Sequence, residues 1–122
     1  MTVTQQDFTL YVGQTKEVTI PVVDAAGVPL NMTGYTKEWG MWRSALNVQA
    51  EAVMTKADGD ITLVNVNGTN DGLRFTITAA QAFALLGLQG RYYHEARVKD
   101  ASGKEGPVTT GTVTVEPSPT AG

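Results

Sequence analysis

The sequence predicts an all-β fold, two antiparallel sheets packed face to face, with one short helix near residues 79–86. Three observations predict it. Short runs alternate apolar with polar residues at a period of two, turn signals separate those runs at regular intervals, and a single stretch has helical composition. A chain of 122 residues is long enough for one domain with a real core and no covalent staples.

The first strand is expected over residues 7–12, where Phe8, Leu10 and Val12 share one parity, followed by a turn at Gly13-Gln14-Thr15. Residues 16–23 repeat the pattern, with Val18, Ile20 and Val22 on one face and Glu17, Thr19 and Pro21 on the other. Proline has no N–H to give a ladder, so Pro21 places this strand at a sheet edge or beside a bulge. Asp24-Ala25-Ala26-Gly27 turns the chain into an extended segment ending at Thr33-Gly34. Residues 35–43 form the most aromatic strand. Parity sends Trp39 and Met41 to the core and leaves Trp42 facing outward beside Gly40.

A weaker strand is expected over residues 50–55 and clearer ones over 61–66 and 73–77, where Leu73, Phe75 and Ile77 alternate with Arg74 and Thr76. Thr78 and Gln81 have capping-box spacing, and residues 79–86 are rich in helix formers, with Gly87 as the stop. Phe83 and Leu86 share a face at helical spacing and are expected to plug one end of the sandwich. The strand over residues 91–99 places Tyr92, His94, Ala96 and Val98 on one side and Glu95 and Arg97 on the other, as a solvated charge pattern. Asp100-Ala101-Ser102-Gly103 makes the hairpin to a last strand ending at Val115. The domain is therefore bounded as an arm over residues 1–6, a sandwich over 7–116 and a proline-containing tail over 117–122.

The side chains offer little chemistry. There is one histidine, no cysteine, and three scattered serines, Ser44, Ser102 and Ser118, so thiolate sites and metal sites that need a second histidine cannot be built, and most catalytic constellations lack their parts. His94, alone at an apolar parity, reads as a half-buried core or rim residue. Asp58, Asp60, Asn67, Asn70 and Asp71 are oxygen donors without EF-hand spacing, and turn chemistry accounts for them. Asn31-Met32-Thr33 and Asn67-Gly68-Thr69 match the glycosylation acceptor pattern and likewise read as turns. A net charge of −3, with basic residues dispersed among acids, gives no footprint for nucleic acid. No apolar run approaches the roughly 20 residues of a spanning helix, and the start of the chain lacks the basic and apolar regions of a secretory signal. The expectation is a non-enzymatic protein with no cofactor and no metal.

Asp7-Phe8-Thr9-Leu10, then Gly13-Gln14-Thr15, then the run from Val22-Val23-Asp24 to Thr33-Gly34-Tyr35 resembles the opening of immunoglobulin-like β-sandwich domains in tailed-phage virion proteins, of the baseplate upper protein N-terminal type. Leu73-Arg74-Phe75-Thr76-Ile77-Thr78-Ala79-Ala80-Gln81 resembles that family's strand and short helix, Gly90-Arg91-Tyr92-Tyr93-His94-Glu95-Ala96 its next strand, and Asp100-Ala101-Ser102-Gly103-Lys104 its last hairpin. The resemblance implies an immunoglobulin-like antiparallel sandwich and a virion location, the chain being made in the host cytoplasm. The chain is also similar in size and style to capsid decoration proteins, and that likeness implies a structural role, foremost as a capsid decoration (cement) protein that binds the major capsid protein or other virion subunits and stabilises the shell. The alternatives are a tail or baseplate adaptor, or a carbohydrate-binding adhesive module using Tyr35, Trp42, Tyr92 and Tyr93 as stacking faces. Partner contacts are assigned to Trp42, to Asn67, Asn70 and Asp71 in their loop, and to the arms through Thr2, Val3, Pro117 and Pro119.

Overall fold

The computed structural model describes residues 3–43 and 52–117. Among these residues nine strands, one α-helix and a 3-10 turn at Asp58–Asp60 follow in order: β1 Thr4–Gln5, β2 Phe8–Tyr11, β3 Lys16–Pro21, β4 Thr36–Trp42, β5 Met54–Lys56, the 3-10 turn, β6 Thr62–Val64, β7 Gly72–Ile77, α1 Ala79–Phe83, β8 Gly90–Lys99 and β9 Glu105–Glu116. One sheet has the order β1-β9-β8-β4-β5, with β2 also on β9, and the other the order β3-β7-β6. Apart from β1 and β2, which run parallel to β9, the pairings are antiparallel.

Alternation decides which face each strand buries, because only one face of each sheet meets the other. Val18 and Ile20 of β3, Trp39 and Met41 of β4, Leu73, Phe75 and Ile77 of β7, and Tyr92, His94, Ala96 and Val98 of β8 all turn into the shared core. Trp39 lies against Phe75 of the facing sheet at a ring separation of 4.7 Å. Pro21 pairs with Gly72 on an edge strand, its ring nitrogen on a ladder that has no second neighbour, as expected.

The Tyr92 hydroxyl donates to the Leu88 carbonyl at 2.5 Å, bracing the start of β8 against the connection from α1. A tyrosine so placed, with a buried tryptophan on the neighbouring central strand and sheets of this order, is the arrangement of immunoglobulin domains. The fold is an immunoglobulin-like sandwich. Two residues beyond the corner tyrosine, where antibody domains carry a cysteine of the inter-sheet disulfide, stands His94. It is fully buried, not half-buried at a rim.

Several boundaries differ from expectation. The N-terminal arm ends sooner, because Thr4 and Gln5 pair with Thr109 and Thr110 and Gln6 N–H donates to the Thr110 carbonyl at 3.0 Å. The strand placed over residues 61–66 contracts to Thr62–Val64, and that over 50–55 is seen as Met54–Lys56, residues 50 and 51 lying outside the described range. The capping box forms as read: Gln81 N–H donates to Thr78 Oγ1 and Thr78 N–H to Gln81 Oε1, at 3.2 and 2.9 Å. The expected plug does not. Phe83 and Leu86 are 59% and 60% exposed, while Ala82 and Leu85 are buried and Leu88 packs beside them. After Phe83 the amides bond to the third residue back, Leu85 to Ala82 and Leu88 to Leu85, and a three-residue turn aligns residues 82, 85 and 88 instead of a 3.6-residue face.

Candidate functional site

The outer face of the larger sheet carries the most distinctive surface. Gly40 sits mid-strand on β4, between Thr55 of β5 and Glu95 of β8 in register. A Cβ at residue 40 would lie 2.5 Å from the Trp42 indole, so the glycine is what allows that ring to fold back across β4. Trp42 points outward as parity requires, is half-buried, and pairs in register with Tyr93, the rings 6.2 Å apart.

Beside Gly40, Glu95 is buried at 6% exposure, which corrects the expectation of a solvated charge pattern. A carboxylate withdrawn this far from water needs donors. It has two: Arg97 Nη1 donates to Glu95 Oε1 at 2.6 Å and the Tyr93 hydroxyl to Oε2 at 3.1 Å. Burial, followed by the Glu95 charge and hydrogen bond, pushes the Tyr93 phenol up to about 12. The bond to Glu95 raises Arg97 further above its ordinary range. Arg97 also meets Glu105 of β9 at 3.5 Å and Glu38 of β4 at 3.8 Å, making it the hub of three carboxylates. At the end of the groove Asp58 accepts from the Lys37 ammonium at 3.0 Å and its amide at 2.9 Å, and the ammonium bond holds the carboxyl below its usual value. Lys37, Glu38, Asp58, Glu95, Arg97 and Glu105 line a cleft of about 720 Å³ together with Gly40 and Trp42. Glu95 and Arg97 are its central side chains, and Tyr93 braces Glu95 from beside it. The sequence signal for them was the shared parity of Glu38, Gly40 and Trp42 facing that of Tyr93, Glu95 and Arg97.

The other assigned contact residues lie elsewhere. Asp71 is buried, and its carboxylate accepts the amides of Val66 and Asn67 at 2.7 and 2.9 Å, so it organises its own loop and is not presented to a partner. Burial raises this carboxyl, but the backbone amides around it outweigh that and hold it below its usual value. Asn70, in the left-handed region at φ 48°, donates from Nδ2 to Thr33 Oγ1 at 2.8 Å and ties this loop to the turn at Asn31. Asn67 is exposed in the same loop, as are Val3 and Pro117 at the two ends of the sandwich strands. Thr2 and Pro119 lie outside the described residues. Asp58 and Asp60 sit in a separate turn from Asn67, Asn70 and Asp71, and Asp60 accepts the Ala57 amide at 3.1 Å. Of the four aromatic residues considered for stacking, Tyr92 is in the core and Tyr35 packs against it, which leaves Trp42 and Tyr93 together on the outer face.

His94 is equally committed. Trp39 Nε1 donates to its Nδ1 at 3.0 Å, so the ring proton is on Nε2, which donates to the Gln6 carbonyl at 2.6 Å. Burial lowers its affinity for a second proton, with the Gln6 bond and the Asp7 charge opposing. Among the described residues no three histidine, aspartate or glutamate side chains gather as a metal site, and no helix is long and apolar enough to cross a membrane.

No protein family and no curated protein matches the sequence. Among solved structures the chain is similar to the amphioxus IgVJ-C2 molecule, at 18% identity, 88% of this chain and 54% of that one, with a TM-score of 0.31. It is similar to the V domain of that protein at 17% identity, covering 90% and 98% of the two chains, with a TM-score of 0.28. It is also similar to extracellular domains 3-5 of Drosophila OTK, at 9% identity, 93% and 32% coverage, and a TM-score of 0.28. The strand order and the tyrosine corner carry the fold assignment.

Proposed function

We propose that this chain is a non-enzymatic virion structural protein, a decoration protein that docks on a capsid shell through contacts with the major capsid protein. The observation that carries the non-enzymatic half is the pairing inside the cleft. Glu95 is taken by Tyr93 and Arg97, Glu38 and Glu105 by Arg97, and Asp58 by Lys37. General acid–base catalysis needs a group whose proton is exchangeable near the operating pH and within reach of a substrate. The Tyr93 phenol, at about 12, keeps its proton throughout the neutral range, and His94 is sealed in the core.

The capsid half is supported by the resemblance of residues 7–10, 13–15, 22–35, 73–81, 90–96 and 100–104 to phage virion sandwiches. It is supported also by the placement of two exposed residues, Val3 and Pro117. Val3 precedes Thr4, which pairs with Thr109, and Pro117 follows Glu116, so they are separated by about 31 Å along β9 at roughly 3.4 Å per residue, a span that lets one molecule touch two neighbours. Mass spectrometry of purified virions, with copy number measured against the major capsid protein, tests the proposal. Hundreds of copies per particle are expected. A few tens would assign the protein to the tail or baseplate, and absence from particles would overturn the virion role.

A further inference from the structure

We propose that the cleft on the outer face of the larger sheet is a binding site for a neutral oligosaccharide. The ligand class follows from the cleft's charge, its aromatic end and its length. Its lining carries four carboxylates, Glu38, Asp58, Glu95 and Glu105, and four cations, Lys37, Lys56, Arg97 and Lys99, so no unbalanced field attracts an ion. One end is the Trp42 indole, laid back over Gly40 where a side chain is missing, with Tyr93 beside it. An indole edge or face takes the apolar C–H face of a pyranose, while the hydroxyls around the sugar's rim require both donors and acceptors.

The rest of the cleft supplies those. The side chains of Arg97, Glu105 and Glu38 are 36%, 47% and 60% exposed, so each retains a face toward the ligand after bonding its neighbour. Glu95 anchors Arg97 from below at 2.6 Å, and side chains held in advance lose little freedom when a ligand arrives. Trp42, Gly40 and Glu38 lie on one face of β4. The indole lies over Gly40, and the lining runs on four residues to Thr36, about 14 Å at roughly 3.4 Å each, the reach of a short oligosaccharide and more than a single sugar fills. The cleft's 720 Å³ is within the usual range for small-molecule sites.

The site is independent of the capsid proposal, because sugar binding is read on the isolated protein and copy number on particles. The chain's two tryptophans give two indole N–H resonances in a nitrogen–proton correlation spectrum. Titration with maltohexaose, mannohexaose and chitohexaose is expected to move the Trp42 resonance saturably for at least one of them and leave Trp39, bonded to His94, in place. Trp42→Ala should weaken that binding at least tenfold with the Trp39 resonance unchanged, and Glu105→Ala, at the exposed far end, several-fold. Three results would overturn the proposal: no hexaose shifting the Trp42 resonance, equal or tighter binding of a uronic-acid hexamer, or a shift caused only by major capsid protein, which would make this face a protein contact.

Discussion

Trp39 Nε1 donates to His94 Nδ1 at 3.0 Å inside the sandwich, and that one bond decides the state of the imidazole. With Nδ1 an acceptor, Nε2 carries the proton and reaches the Gln6 carbonyl at 2.6 Å. A β4 tryptophan, a β8 histidine and the N-terminal segment are thereby joined within the larger sheet, through the position where antibody domains carry a cysteine. His94→Ala should cost about 3 kcal/mol, since it opens a cavity and orphans both the Trp39 N–H and the Gln6 carbonyl. Urea unfolding of the two proteins checks the value.

The same bond sets a pH dependence. Burial lowers the folded-state pKa of His94 from the ordinary 6.5, with Gln6 and Asp7 opposing. The fold therefore prefers the neutral ring, and its contribution is complete above the unfolded-state value. Stability should fall as pH drops below about 6.5, by up to about 1.4 kcal/mol per unit, until the folded-state pKa is passed. Unfolding midpoints from pH 8 to 5 should show this slope in the natural protein and a flat profile in His94→Gln.

Gly111 faces His94 across β8 and β9, and the Gln6 carbonyl passes over it at the position a Cβ would occupy. Asp7 completes the crossing by accepting the Thr112 amide at 2.8 Å with its side chain. Gly111→Ala should destabilise the fold by about 2 to 3 kcal/mol and lift residues 4–6 off β9. Hydrogen exchange at the Gln6 amide, bonded to the Thr110 carbonyl, should accelerate more than exchange in β7.

Wherever a strand has one wet and one dry face, parity predicted the structure: Trp39 and Met41 on β4, alternate residues of β7 and β8, and Pro21 at an edge. The parallel docking of β1 and β2 on β9 was not legible, because it depends on a bare Cα at Gly111 more than a hundred residues from Gln6. Burial of Glu95 escaped for a similar reason. Alternation assigns it to the outer face, but only the absence of a side chain at Gly40, and the neighbours Tyr93 and Arg97, reveal that this part of the outer face is closed. Asp71 looked like a loop-tip contact until its loop folded around it.

Tyr93 should report the Glu95 charge directly. Desolvation is the larger cause of its phenol standing at about 12, and the neighbouring carboxylate adds to it. Glu95→Gln removes the charge while keeping an acceptor, so the phenol should ionise at lower pH, though still above the usual tyrosine value of about 10 because it stays partly buried. Alkaline ultraviolet titration, with Tyr93→Phe in each background to isolate this residue, should show the shift. An unchanged titration would mean that desolvation alone sets the phenol's value.

The connection from α1 to β8 makes opposite predictions for two adjacent leucines. A helix of regular pitch through residue 86 would bury Phe83 with Leu86; the three-residue turns instead bury Leu85 with Ala82 and leave Leu86 60% exposed. Leu85→Ala should cost about 2 to 4 kcal/mol, the usual range for truncating a buried leucine, and Leu86→Ala less than about 0.5 kcal/mol. Paired chemical denaturation decides between the two periods, since equal losses, or a larger loss at Leu86, would require the regular helix.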